Sequence, residues 1–417
     1  MATKYWRGLA AAVAQVGTVA ITAGDAATTY RLLINGLIIA SFTGNATPNT
    51  IAAGLVTAWN ASVHPYKLGI VASGATTPLT LTGPAGMPFT VTTAVSGGAG
   101  TIGAYTAVTA ATGPNFFDNV LNWSDSVVPV STDTVIFRDN AINLCWNIDQ
   151  NAIDLTALNI EQSYTGRIGL PIGSVAQSAD GLTAAAGVQE YRTTYFRIGW
   201  TTGRIGEHSG PGTPNGSPRL KLWNDAAGAS NTNIINTAAQ GADSGLPAVR
   251  LKANVNSANV LVRLAPGGVG LAADEAAETA TFGAISIADT SELSRVYAGD
   301  GLTVTSWTQT GGQNRLKAAA TITSVEAEGG TLTLDGTMAC TTVNANGGTI
   351  ISNNVPAAGA AIVTANIAGG TLDMAQSTAP RTITTLNPNL GVFKADKDVV
   401  TITTLAQPAG PYAMTIT

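Results

Sequence analysis

The chain has 417 residues, more than one ordinary core supports, so it holds two or three domains or one elongated repeat architecture. Charged residues are only 11% of it, with 20 Lys and Arg against 25 Asp and Glu and a formal net charge of -5. With no long basic run to displace counterions from phosphates, nothing supports nucleic acid as a partner.

A hydrophobic share of 45% with Val, Ile and Thr in alternation argues for a packed, β-rich chain whose surface is Thr, Ser, Asn and Gly. No run of about 18 strongly apolar residues marks a membrane-spanning helix, and no membrane partner is expected. Cys145 and Cys340 share no metal-ligand spacing and are read as buried free thiols.

The start, "MATKYWRGLAAAVAQVGTVAITAGDA", has the outline of a secretory leader. Its apolar core is short, broken by Gln15, and runs into a strand at 18–22, so the strand is the preferred reading. "TTYRLLINGLIIASFTG" places two apolar runs around Asn35-Gly36, a strong hairpin signal. "TPNTIAAGLVTAWNAS" offers Thr47 as N-cap and Pro48 at the first helical position, then Ile51, Leu55, Val56 and Trp59 at helical spacing. "KLGIVASG", "PLTLTG" and "FTVTTAV" alternate as strands do, so residues 1–112 read as a small α+β attachment domain of order β-β-α-β-β-β. The Gly- and Thr-rich segment 96–115 has little to bury and is expected to be a linker.

From 113 to 417, short β-like runs alternate with Asn, Gly and Asp turns. Glycine pairs recur at Gly311-Gly312, Gly329-Gly330, Gly347-Gly348 and Gly369-Gly370, spaced 18, 18 and 22 apart. Leu332, Ile350 and Leu372 keep one offset from the last three pairs, and Val325, Val343 and Ala365 keep another. That is the signature of a stacked repeat. A period near 20 equals one turn of a parallel β-helix, whose coils stack about 4.8 Å apart. The glycines would turn corners and Leu332, Ile350 and Leu372 would form an inward ladder. The expected fold is therefore mainly β, with the small α+β domain followed by a right-handed parallel β-helix whose coils take about 18–22 residues each. An irregular, elaborated region is expected near 172–250. Gly267-Gly268 precedes Gly311 by 44 in sequence number, which would be two coils of 22.

At "NWSDSVVPVSTDTVIF", the residues Asn122, Trp123, Pro129, Asp133, Val135 and Phe137 resemble the lead-in to parallel β-helices in bacterial surface and phage proteins. With "NIDQNAIDLTALNIEQSYTGRIGLP" after it, and "TTYRLLING", "IAAGLVTAWNAS" and "PLTLTGPAGMPFTV" before it, the chain as far as Pro171 resembles structural proteins of tailed phages and prophages. The resemblance implies a virion component, on head or tail.

Other chemistries have weaker claims. A phosphate loop needs G-x-x-x-x-G-K-[ST], and no Lys follows these glycines. Glu326 and Glu328 could serve a glycan-cleaving groove, but acidic residues are sparse there and a solvated edge is the simpler reading. His64 and His208 are far apart and make no metal site, and no Ser-His-Asp arrangement stands out, so no catalytic residue, metal or cofactor is expected. The segment 191–223 concentrates Tyr191, Arg192, Tyr195, Arg197, Trp200, Arg204 and Trp223, residue types enriched at interfaces. A subunit contact is preferred there, with a host-glycan platform as the rival.

The leading expectation is a non-enzymatic virion protein, first of all a capsid decoration or cement protein bound to the major capsid protein or another virion component. Self-association as a homotrimer would cover open ends. The alternatives are a tail fibre or spike that binds host glycan, a secreted polysaccharide-degrading β-helix enzyme, or a cell-surface module.

Overall fold

A computed structural model describes residues 1–171, 192–206, 219–226, 231–237, 247–253, 258–271, 279–289, 293–318, 322–353, 362–377, 380–406 and 413–416. Its dominant feature is a 22-stranded sheet in which, from Phe196–Ile205 onward, strands pair in parallel with the strand two places further along the chain. That skip is the topology of a coil with two strands per turn, so the body is a parallel β-helix with two stacks.

The first stack runs through Leu220–Asn224, Val249–Ala253, Val269–Leu271, Gln313–Ala318, Thr331–Gly336, Thr349–Ser352, Thr371–Met374, Val392–Ala395 and Ala413–Ile416. The second runs through Thr134–Phe137, Asp149–Ile160, Asn231–Asn236, Ala258–Leu264, Ala280–Ile287, Ile322–Ala327, Cys340–Ala345, Ile362–Ala368, Arg381–Asn389 and Val400–Leu405. Three long strands, Asp149–Ile160, Phe196–Ile205 and Val296–Gln309, contribute their first residues to one stack and their last to the other.

The inward ladder is as expected: Leu332 pairs with Ile350, Ile350 with Leu372, and Leu372 with Phe393, all fully buried. In the second stack Trp307, Val325, Val343, Ala365 and Leu386 form the matching ladder. Alternation in the first-stack strands sends one residue in and the next out, while Ile322–Ala327, Cys340–Ala345 and Ile362–Ala368 turn two successive residues outward before alternation resumes, and the two ladders meet in a single hydrophobic core. The coil around residues 309–314 departs from the apolar pattern. Gln309 and Asn314 are buried there and bonded to each other, with Asn314 accepting from the Val296 amide at 2.9 Å and Gln309 donating to the Gly329 carbonyl at 3.0 Å. Asn314 bonds back to the coil before and Gln309 forward to the coil after, so the pair together fixes the register between coils.

Coil length follows the expectation in the last third. Val325 pairs with Val343, Val343 with Ala365 and Ala365 with Leu386, steps of 18, 22 and 21 in sequence number. Upstream the coils are unequal. Beyond Gly268, Val269 pairs with Val296 and Tyr297 with Arg315, steps of 27 and 18 rather than two coils of 22.

The glycine pairs do sit at the corners between stacks, but for two distinct reasons. Gly330 has φ +69, and a Cβ there would also lie 2.3 Å from the Gly312 carbonyl oxygen of the coil before. Gly348 does not have a positive φ, yet a Cβ would come within 2.8 Å of the Gly329 oxygen. Close stacking of corner on corner, as much as backbone handedness, demands glycine.

The α+β unit is present with its own core, built on Tyr30, Leu32, Ile51, Leu55, Trp59 and Leu81. Asn35 and Gly36, at φ 51 and 77, turn the hairpin between Asp25–Ile34 and Leu37–Asn45. The helix Pro48–Ala61 buries Ile51, Ala52, Leu55 and Trp59, and the Trp59 indole donates to the Ile70 carbonyl at 2.9 Å.

Two expectations change. The segment 96–115 is not a free linker: Thr101–Ile102 pairs with Ile21–Ala23, and Thr106–Thr109 pairs with Ala14–Val19, so it supplies edge strands to the unit. The first residues, grouped above with the α+β domain, instead join the β-helix. Thr3–Tyr5 pairs in parallel with Thr134–Phe137, and Trp6 packs edge-on against Trp123 at 5.2 Å. The chain thus begins in the body, leaves it near residue 10 to build the α+β unit, and returns at 113. Buried Asn122 ties the two crossings together, accepting from the Ala10 amide and donating to the carbonyls of Gly113 and Phe116.

Candidate functional site

Positions of the first stack that point away from the core gather a cluster of cations and aromatics. Lys221 pairs with Arg250, and beside them Arg197 pairs with Trp223 and Trp223 with Lys252. Strand alternation places Leu220, Leu222, Val249 and Leu251 in the core, which turns these cations and the indole away from it.

The geometry is a cation–aromatic stack. The Arg197 guanidinium carbon lies 4.2 Å from the centroid of the Trp223 ring, and the Lys252 ammonium lies 4.2 Å from the same centroid. Lys221 sits 4.4 Å from the Tyr195 ring centroid. Arg197 also forms an ion pair with Asp225 at 2.6 Å and a longer one with the exposed Asp149 at 3.7 Å. Lys221 and Arg250 are themselves buried, so the solvent-facing part of the cluster is Arg197, Trp223 and Lys252. The two cations come from the coils on either side of Trp223 and cover both faces of its ring, so what the cluster presents outward is positive charge beside an indole edge, which can receive an anionic group.

The residues singled out in sequence divide. Tyr195, Arg197 and Trp223 come together. Trp200 does not belong to the surface: it is 1% exposed, faces the core, and donates its indole N–H to Asn233 at 2.8 Å. Alternation along Phe196–Ile205 turns it inward, and Gly203 leaves room for its ring. Arg204 is exposed on the second stack, away from the cluster. Arg192 lies in a short strand paired with Leu170–Pro171, and Tyr191 lies outside the described residues. Arg250 and Lys252 were missed. The repeated Arg-Leu-Lys at 219–221, 250–252 and 315–317 was the available signal.

The remaining candidates have structural surroundings. His64 caps the turn Pro65–Lys67 by accepting from the Tyr66 amide, and His208 lies outside the described residues. Glu326 accepts from Asn346 at 2.6 Å, and Glu328 is exposed at a corner. Among the described residues, no three His, Cys, Asp or Glu side chains converge as metal ligands, and no helix is long and apolar enough to cross a membrane. Both cysteines are buried free thiols, and burial pushes the Cys340 thiol up to about 12. Arg381 is buried against Ser352, and desolvation lowers it to about 10, opposed by the charge of Asp335; it remains cationic at neutral pH.

Comparison with protein-family models, with curated proteins and with solved structures finds no match to this chain.

Proposed function

We propose that the protein is a structural component of a tailed-phage virion, first of all a capsid decoration or cement protein, in which the β-helix is a rigid body and the α+β unit attaches it to the particle. The observation that carries this reading is the insertion of the α+β unit into the first turns of the rod. Both crossings are held by Asn122, and the first strand is locked to the body, so force or position at the unit passes directly into the rod. Exposed Leu9, Val120, Leu121, Val127 and Val130 flank this junction and suit a contact with the major capsid protein or another virion component.

The test is imaging of native particles with the protein labelled at its C-terminal coil. Label distributed over the head supports decoration. Label confined to the tail tip removes it, and loss of adsorption without loss of particle integrity on gene deletion points the same way.

A second reading, a tail fibre or spike that binds host glycan, is favoured by the Arg197–Trp223–Lys252 stack. It predicts that Trp223→Ala abolishes retention on host lipopolysaccharide or capsule while the fold persists.

A further inference from the structure

The two outer faces of the rod differ in charge more sharply than composition requires. In the first stack, the outward positions of the later coils include Arg315, Lys317, Asp335, Asp373 and Lys394. In the second stack, the seven successive strand segments from Ala280–Ile287 to Val400–Leu405 carry one outward charge, Glu326; Arg381 is buried.

That neutral face is ordered in columns. Ser306, Ser324, Thr342, Thr364, Thr385 and Thr404 are in register, one per coil. Beside them Asn344, Asn366 and Asn387 form a second column, in which Asn366 donates to Asn344 at 2.8 Å and Asn387 to Asn366 at 2.6 Å. Thr323, Thr341, Val363 and Thr403 form an exposed margin, with Val363 43% accessible.

We infer that this neutral face packs side by side against the same face of a second copy of the chain. Three observations select that occupant. A partner with a net charge gains nothing from a face with one carboxylate, whereas a second neutral face meets it without repulsion. The columns repeat at the coil spacing of about 4.8 Å, a period that another copy of the same ladder matches along its whole length. Seven rungs of six-residue strands present roughly 34 Å by 20 Å, so two copies would remove on the order of 1,300 Å² from water, within the range of specific interfaces. The unbroken run of small β-branched and amide side chains lets the two surfaces approach closely.

The test is the mass of the purified full chain by light scattering and analytical ultracentrifugation at tens of micromolar. The wild type is expected to be a multimer whose mass is unchanged between low and high salt. Thr342→Lys with Thr364→Lys should weaken association at least tenfold with unchanged melting, while Thr333→Lys with Thr349→Lys, on the charged stack, should leave the mass as it is. A monomeric wild type, dissociation of the wild type by salt, or an unaffected mass in the Thr342→Lys and Thr364→Lys variant would each overturn the proposal, as would a monomer whose neutral face retains glycan. If that variant fails to fold, the salt series on the wild type still decides. The measurement needs no particle, so its outcome is independent of where in a virion the protein resides.

Discussion

The two stacks of the β-helix share one core and one coil period, yet their outer faces follow different chemistry. The first carries cations, carboxylates and aromatics that pair within and between coils, such as Arg197 with Trp223 and Asp225, and Arg315 with Asp335. The second carries hydroxyl and amide columns whose bonds run along the rod. Interior positions are fixed by packing and so look alike on both sides. Exterior positions are free of that packing constraint and so can differ between the two sides.

That contrast can be attacked from the inside outward. Ile350 is fully buried in the ladder and Ile351 points outward beside it. Ile350→Asp should prevent folding or cost upwards of about 4 kcal/mol, because an unpaired carboxylate would enter the core, whereas Ile351→Asp should cost less than about 1 kcal/mol. Equal effects in urea denaturation would remove the inward and outward assignment. Gly330→Val tests the corner, where positive φ and the Gly312 oxygen act together; a loss of about 2–4 kcal/mol is expected.

The faces themselves are compared by truncation. Arg197→Ala removes a partly buried ion pair and a cation–π contact and should cost about 1–2 kcal/mol, sensitive to salt. Asn366→Ala removes two neutral bonds of the amide column and should cost about 1 kcal/mol, insensitive to salt. Reversed salt responses in thermal melts would contradict the division of the faces.

The smallest effect concerns the inserted unit. The hydroxyl of Thr28, with the amides of Ala99 and Ala27, holds the Asp25 carboxyl below its ordinary value of 3.8. A depressed carboxylate contributes stability that is present above the unfolded value and lost as pH falls through the folded one. The α+β unit should therefore weaken in melts below about pH 3.8, and Asp25→Asn should flatten that slope.

Much of this was legible in the chain. Asn35-Gly36, the Pro48–Ala61 helix and the glycine corners were readable because each rests on local dihedral or periodic constraints. The ladder of Leu332, Ile350 and Leu372 was readable because coils of nearly constant length preserve offsets. The insertion of the α+β unit was not, since it depends on Thr3–Tyr5 finding Thr134–Phe137 from the far side of a whole inserted domain. The segment 96–115 misled because edge strands of Thr and Ala gain their order from partners rather than from their own composition. Of the candidate site, Arg197 and Trp223 were found by clustering in sequence, but Lys252 enters only through coil register, and Trp200 was lost to the core by strand alternation.

The central claim is that one coil is the unit carrying both faces. Removing residues 326–343, one full coil by the Val325 to Val343 register, should leave a rod that melts cooperatively within a few degrees of the parent, because every remaining strand keeps a partner in register. Removing only residues 326–334 shifts every later strand out of register and should abolish the cooperative transition. Similar melting of the two deletions would contradict the account.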